Sequence, residues 1–130
     1  MLRPSIHSKI HMASVTGAHP DYMGSITIDR DLLDRVGMRV NDWVLVANCR
    51  NGARFETYVF EAERGSRRIE LNGAAAHLVE VGDRVIILHR ALMSESEYAA
   101  FHPKVALMNP DNTVQEVVRY GPSAPQPGMT

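Results

Sequence analysis

The dipeptide Gly24-Ser25 places a hydroxyl directly after a glycine, at the start of a segment that alternates polar and apolar residues. Because glycine has no Cβ, its carbonyl carbon can be approached closely and its backbone can adopt strained angles. The Ser25 hydroxyl could therefore attack the carbonyl of Gly24. Gly-Ser is also a common turn dipeptide, so a plain turn stays open as the alternative.

A second candidate is the segment Lys9-Ile10-His11. In a strand, Lys9 and His11 would project from one face and Ile10 from the other, so a cation and a titratable imidazole would stand together. The alternative is a solvated strand face beside the core. His7 and His11 are four residues apart, but their β-like context does not resemble a helical zinc motif, and we expect no metal.

The third candidate is the alternating segment that begins at Arg54. In a strand without a bulge, Arg54, Glu56 and Tyr58 share one face while Phe55 and Thr57 share the other. An Arg and a Tyr could then face one pocket. The guanidinium is suited to binding a carboxylate and the phenol to donating a proton, although both are also routine surface residues.

The fourth candidate is the run of small residues that follows Asn72, namely Gly73, Ala74, Ala75 and Ala76. Small side chains in a row expose backbone N–H groups to a close-packed ligand, and the Asn72 amide could polarise a carbonyl. A turn that leads into an Ala-rich helix is the alternative.

The elements that position these residues are mainly strands. Residues 25–28 alternate in the manner of a half-buried strand, and residues 29–36 combine an Asp cap with helical spacing before a glycine stop. Residues 43–47 predict a buried strand. The dipeptide Asn51-Gly52 is typical of a hairpin that connects it to a strand over 55–60.

An internal echo relates two parts of the chain. Residues 40–46 read Val-Asn-Asp-Trp-Val-Leu-Val, and residues 81–87 read Val-Gly-Asp-Arg-Val-Ile-Ile. Each copy follows a short helical stretch, which indicates two similar β-turn-helix-β halves packed into a small closed barrel. A common way of entering a strand would explain the echo equally well.

Composition narrows the class of protein. The chain has 130 residues, a length that suits one domain. It has 14 Lys and Arg against 15 Asp and Glu, and this net charge of −1 disfavours nucleic-acid binding. The single cysteine, Cys49, cannot form an internal disulfide. With no bilayer-length apolar run and no signal-peptide pattern at the start, we expect a cytoplasmic protein that binds neither nucleic acid nor a membrane.

Taken jointly, these segments resemble the pyruvoyl-dependent aspartate 1-decarboxylases of bacterial pantothenate synthesis, over roughly residues 1–115. Five motifs occur in the family's order and spacing. They are Lys9-Ile10-His11, Tyr22-Met23-Gly24-Ser25-Ile26-Thr27-Ile28-Asp29, Asn51-Gly52-Ala53-Arg54-Phe55-Glu56-Thr57-Tyr58, Glu63-Arg64-Gly65-Ser66 and Leu71-Asn72-Gly73-Ala74-Ala75-Ala76-His77.

The resemblance implies a mainly β fold, a six-stranded double-psi β-barrel with short helices, as a single domain over residues 1–118. Residues 119–130 are expected to be a disordered tail. It also implies a homotetramer with active sites between subunits, made as a proenzyme that cleaves itself between Gly24 and Ser25 into fragments 1–24 and 25–130. Whether self-cleavage is spontaneous or needs an activating partner stays open.

The implied cofactor is a pyruvoyl group derived from Ser25, which forms a Schiff base with L-aspartate and gives β-alanine and carbon dioxide, the β-alanine serving pantothenate and coenzyme A synthesis. Tyr58 is implied as the proton donor, and Thr57 and Asn72 as support for self-processing. The implied substrate-binding residues are Lys9, His11, Tyr22, Arg54, Thr57, Asn72, Gly73, Ala74 and Ala75.

One departure from the family is His19-Pro20, where many members have Asp or Asn followed by Leu. Pro20 removes an N–H and restricts His19, so self-processing could be altered. Two alternatives therefore stay open: an unprocessed, inactive paralogue that acts as a binding subunit, and a β-barrel DNA-binding protein of the AbrB type. The second gives no reason for Lys9-Ile10-His11.

Overall fold

The computed structural model describes residues 1–122, which form nine strands, two short α-helices and one 3-10 helix. The strands are β1 (Arg3–Ser14), β2 (Gly17–His19), β3 (Ser25–Asp29), β4 (Trp43–Asn48), β5 (Arg54–Ala62), β6 (Ile69–Asn72), β7 (Arg84–Met93), β8 (Lys104–Met108) and β9 (Val114–Arg119). The helices are α1 (Arg30–Val36), the 3-10 helix (Gly73–Leu78) and α2 (Glu95–Ala100). Of the predicted tail, residues 123–130 lie outside the described residues, and Arg119 ends β9.

All nine strands belong to one sheet, in the order β2-β6-β3-β5-β4-β7-β1-β8-β9. The mainly β prediction is confirmed, whereas the count of six strands is not exact. Six strands run contiguously from β6 to β1. The three additional strands lie at the two ends of this order, because β2 pairs with β6 and the β8–β9 hairpin continues the sheet from β1.

The core lies inside the sheet and consists mainly of Ile, Val and Leu side chains, with a few Ala and Met. Along β1, β4 and β7 buried residues alternate with partly exposed ones, as expected for strands with one face on the core. All five residues of β3 are buried. Burial on both faces fixes the register of β3, and this strand carries the serine of the Gly-Ser pair.

Helix α1 is confirmed where its caps predicted it. Asp29 is the N-cap, and its carboxylate accepts a hydrogen bond from Asp31 N at 2.9 Å and further bonds from the N–H groups of Gly65 and Arg67. Gly37 ends the helix in the left-handed conformation, with φ of 82°. The carboxylate of Asp29 therefore ties the end of β3 to the loop before β6.

The hairpin between β4 and β5 is also confirmed. Asn51 Oδ1 accepts a hydrogen bond from Ala53 N at 2.9 Å, and Asn48 and Ala53 close the turn through their backbones. The turn sets the antiparallel register in which Trp43 is opposite Tyr58 and Ala47 is opposite Arg54.

The echo in the sequence corresponds to a repeated turn. Asp42 accepts a hydrogen bond from Arg39 N at 2.8 Å, and Asp83 accepts the matching bond from Glu80 N at 2.9 Å. The first turn leads from β3 and α1 into β4, and the second leads from β6 and the 3-10 helix into β7. The two halves thus share one order of elements, with a short helix and an Asp turn between two strands.

Candidate active site

Ser25 is the first residue of β3 and lies opposite Asn72, the last residue of β6. Its side chain is largely enclosed, since Ser25 is 7% exposed. Asn72 Nδ2 donates hydrogen bonds to Ser25 Oγ and to Thr27 Oγ1, each at 2.9 Å. The Asn72 amide therefore fixes the position of the serine hydroxyl through an antiparallel strand pair.

Gly24 packs against Gly73 at the start of the 3-10 helix. Gly73 has φ of +73°, and a Cβ added there would lie 2.7 Å from Gly24 Cα and 2.9 Å from Gly24 N. Backbone atoms cannot give way as the end of a flexible side chain can, so only glycine fits at position 73. The backbone of the predicted cleavage site is thereby held against the end of β6.

An open cavity of about 680 Å³ lies beside Ser25. Two tyrosines, Tyr58 from β5 and Tyr22 from the segment before the serine, share this cavity with Ser25 and Asn72. The full lining is Tyr22, Met23, Ser25, Thr27, Asn41, Tyr58, Phe60, Glu61, Arg68, Glu70 and Asn72. Tyr58 reaches it because Val59, the next residue of β5, is opposite Ile26 of β3. The volume suits a small-molecule site.

Among the residues that line this cavity the one cation is Arg68, and Glu70 binds it with two hydrogen bonds. Arg68 Nε lies 2.7 Å from Glu70 Oε2, and a terminal nitrogen lies 3.0 Å from Oε1. This contact raises the pKa of Arg68 and lowers the pKa of Glu70. Burial alone would raise the pKa of Glu70, but the hydrogen bonds from Arg68 have the larger effect. The pair is charged and internally compensated, so it leaves little free positive charge for a substrate carboxylate.

Lys9, His11 and Arg54 lie on another part of the barrel and do not line the cavity. Arg54 is opposite Ala47, Ala47 is opposite Ile86 on β7, and His11 lies on β1 at the level of Ile86. Their side chains point away from the core. These three residues lie on the outer face of β5, β4, β7 and β1, which we call the cationic face, with Arg54 three strands away from Lys9 and His11.

His11 contributes an unsatisfied group to the cationic face. Its Nδ1 is buried and has no hydrogen-bond partner among the described residues. Burial, with smaller contributions from the charges of Lys9 and Arg84, lowers the pKa of His11. The imidazole is thus held in its neutral form at neutral pH.

The remaining predicted residues do not line the cavity. Thr57 is buried on β5, opposite Val44 of β4, while Gly73, Ala74 and Ala75 are the first three residues of the 3-10 helix. Sequence reasoning missed Arg68 and Glu70. The signal that could have found them is the alternate spacing of Arg68, Glu70 and Asn72, which begins one residue before β6.

The described residues contain no group of three or more His, Cys, Asp or Glu side chains that could hold a metal ion. Within residues 1–122, no helix has the length and apolar character needed to cross a membrane.

The class of protein is defined by the β-barrel and by the cavity that Ser25 lines. A computationally designed double-psi β-barrel superimposes with a TM-score of 0.50 and 26% identity, covering 63% of this chain and 99% of that protein. The fold is a double-psi β-barrel. Residues 1–115 match the family model described as aspartate decarboxylase.

Two relatives extend the match. The aspartate 1-decarboxylase of Bacillus licheniformis is 50% identical over 123 residues, which cover 95% of this chain and 97% of that protein. The aspartate 1-decarboxylase of Staphylococcus aureus is 52% identical over 118 residues, 91% of this chain and 93% of that one. The chain belongs to the aspartate decarboxylase family.

Proposed function

We propose that this chain is an aspartate 1-decarboxylase that cleaves itself between Gly24 and Ser25 and then converts L-aspartate to β-alanine and carbon dioxide. Family membership gives the activity and the substrate. The observation that carries self-cleavage is the enclosed Ser25 hydroxyl, held by Asn72 directly after a glycine that packs against Gly73.

Self-cleavage begins with Ser25. Its Oγ forms a bond to the carbonyl carbon of Gly24, and the Gly24–Ser25 amide bond breaks, which leaves an ester and a free Ser25 amine. Loss of the Ser25 Cα proton then expels the Gly24 carboxylate. Hydrolysis of the resulting dehydroalanine releases ammonia and leaves a pyruvoyl group at the start of fragment 25–130. Asn72 Nδ2 is placed to hold Oγ in position for this attack.

The residues around Ser25 fit such a group, because position 25 is enclosed, opens onto the cavity and has an amide donor within hydrogen-bond distance. A pyruvoyl group supplies an electron sink for the electron pair released with carbon dioxide. Tyr58 lines the same cavity, and its phenol would deliver a proton to the carbon that loses the carboxylate. Thr57, which precedes Tyr58 on β5, would support the geometry of self-cleavage.

A substrate with two carboxylates requires cations that the cavity does not offer, since Arg68 is compensated by Glu70. Lys9 and Arg54 lie on the cationic face, away from Ser25. We therefore place the cationic face of a second copy over the cavity of the first, in a homotetramer. His11 of that copy would line the pocket, and Tyr22, Gly73, Ala74 and Ala75 would do so from the first.

Exposed apolar side chains support this assembly. Beside the cavity, Tyr22, Met23 and Phe60 are 63%, 86% and 53% exposed, and Trp43, next to the cationic face, is 54% exposed. Large apolar groups clustered on a surface mark contact sites. Burial between copies would remove them from water and complete the set of cations.

The experiment that tests this function is formation of β-alanine from L-aspartate by the purified, cleaved chain, with Ser25→Ala as the control. L-Glutamate is the comparison substrate, because its additional methylene tests the fit between the cations and the cavity. Release of carbon dioxide without β-alanine, or equal turnover by Ser25→Ala, would contradict the proposal. The DNA-binding and inactive-paralogue alternatives gain no support from the family match.

A further inference from the structure

His19 joins the segment before the cleavage site to β6. Its Nε2 lies 2.8 Å from Glu70 Oε1, and its ring stacks on the ring of Tyr22 with centroids 4.6 Å apart and an interplanar angle of 14°. The Glu70 side chain is 11% exposed. One imidazole therefore contacts a buried carboxylate on one side and the cleavage segment on the other.

Glu70 is a fixed anchor. Arg68 binds both of its oxygens, and the lowered pKa keeps the carboxylate ionised. An ionised carboxylate can only accept, so His19 Nε2 carries the proton and donates. Gly17 leaves the room for this contact, because a Cβ there would lie 3.0 Å from both the Glu70 side chain and His19 Nε2.

The backbone of His19 is fixed as firmly as its ring. His19 is opposite Asn72 in the β2–β6 pair, and its carbonyl accepts a hydrogen bond from Tyr22 N at 3.2 Å. Residues 20–24 span the gap from this point to Ser25, and Pro20 restricts the first of them. Tyr22 and Met23 are exposed, so the stacked His19 ring holds the middle of the segment.

We propose that His19, anchored on Glu70 and stacked on Tyr22, is a positioning residue for self-cleavage, which holds residues 20–24 so that the Gly24 carbonyl stays beside Ser25 Oγ. The inference rests on the proposed function but concerns only the cleavage step. His19-Pro20, the departure from the family pattern, is on this account a device that orders the segment.

The first test compares self-cleavage rates of full-length proenzymes by denaturing mass spectrometry. His19→Ala is expected to slow cleavage about tenfold, since loss of orientation at a reacting centre carries a cost of this order. Glu70→Ala is expected to slow cleavage as much as His19→Ala does. The variant that carries both substitutions should cleave no more slowly than either single variant. Glu70→Gln keeps an acceptor for His19 and should stay within about threefold of the unaltered chain.

His102→Ala removes an exposed histidine remote from the cavity and is the matched control. Thermal unfolding midpoints of all variants, measured with Ser25→Ala, separate orientation from general destabilisation. Cleavage by His19→Ala at the unaltered rate, slowing in Glu70→Gln equal to that in Glu70→Ala, or slowing that only follows the unfolding midpoint would overturn the inference.

The second test needs no cleavage chemistry. In the Ser25→Ala background, His19→Ala is expected to speed chymotrypsin cutting after Tyr22 about tenfold, because the segment opens more often, with cutting at other sites unchanged. Equal cutting rates would also overturn the inference. If the unaltered chain does not cleave, the proposed function and the positioning role both fail, whereas a faster cut after Tyr22 in His19→Ala would still show that His19 orders residues 20–24.

Discussion

Asn72 Nδ2 lies 2.9 Å from Ser25 Oγ, across the antiparallel pair of β3 and β6. The contact is built from strand register, so it exists before any chemistry takes place. A hydroxyl that is already held in position loses less conformational freedom on reaching the geometry of attack. It also links residues 47 positions apart.

Asn72→Ala is expected to slow self-cleavage about a hundredfold, because a reacting group displaced by about 1 Å can lose this much rate. The measurement is the rate at which fragments 1–24 and 25–130 appear. Asn48→Ala is the control, since Asn48 is a second buried asparagine whose amide donates to Asp83 and Leu78 outside the cavity. Equal slowing in both variants would contradict a specific role for Asn72.

Gly73→Ala is expected to block cleavage, because its Cβ would lie 2.7 Å from Gly24 Cα and displace the backbone that must react. Gly52→Ala is a matched control. Gly52 has a similar φ of +74° but no atom within 4 Å of an added Cβ, so it carries only the conformational strain, about 1 kcal/mol. Normal cleavage by Gly73→Ala would show that the contact does not position the site.

Tyr58→Phe and Arg54→Ala are each expected to cleave normally and to lose decarboxylation, since the hydrogen bond that positions Ser25 Oγ comes from Asn72 and is retained in both variants. The two variants should complement each other when co-expressed. If each site takes Tyr58 from one copy and Arg54 from another, about a quarter of the sites in randomly mixed assemblies are intact. Absence of recovered activity would contradict a site shared between copies. Full decarboxylation by cleaved Tyr58→Phe would reject its role as proton donor.

Asp83→Ala is expected to lower the free energy of unfolding by about 2 kcal/mol, the usual cost of losing hydrogen bonds to a charged group. Asp83 accepts from Arg50, Asn48 and Glu80 N. Asp42→Ala, at the equivalent turn, should cost less, because Asp42 accepts a short bond only from Arg39 N. Denaturant unfolding in the Ser25→Ala background measures both, and equal losses would contradict the account.

The contribution of the Asp83 carboxylate to stability depends on pH. Hydrogen bonding from Arg50, with smaller contributions from Asn48 and Glu80 N, lowers the pKa of Asp83 from 3.8 to about 2 although burial opposes it. A carboxylate whose pKa is lower in the folded state than in the unfolded state stabilises the fold fully at pH values above its unfolded-state pKa. This stabilisation is lost progressively as the pH falls through the folded-state pKa. The stability difference between the unaltered chain and Asp83→Ala should therefore shrink between about pH 4 and pH 2.

Local elements were predictable because their signals are local. The Asp29 cap and Gly37 stop bound α1, and Asn51-Gly52 fixes the hairpin, within a few residues each. The count of strands was not predictable in the same way. β8 pairs with β1, about a hundred residues earlier in the chain, and β9 then pairs with β8. The sequence pattern alone does not identify β1 as the partner of β8.

The site was predictable in part for the same reason. Arg54 and Tyr58 were expected to face one pocket, yet only Tyr58 lines the cavity. Strand β5 pairs with β4 up to Tyr58 and with β3 from Val59 onward, so its two ends serve different parts of the barrel. Alternation along a strand gives the face but not the partner that the face meets.

The measurement that tests the central claim most directly is the intact mass of the purified chain under denaturing conditions, beside Ser25→Ala. The account predicts two fragments in the unaltered sample, one ending at Gly24 and one that begins with a pyruvoyl group in place of Ser25. It predicts a single full-length chain in the variant. A single uncut chain in both samples, or cutting at Gly24 that persists in Ser25→Ala, would contradict it.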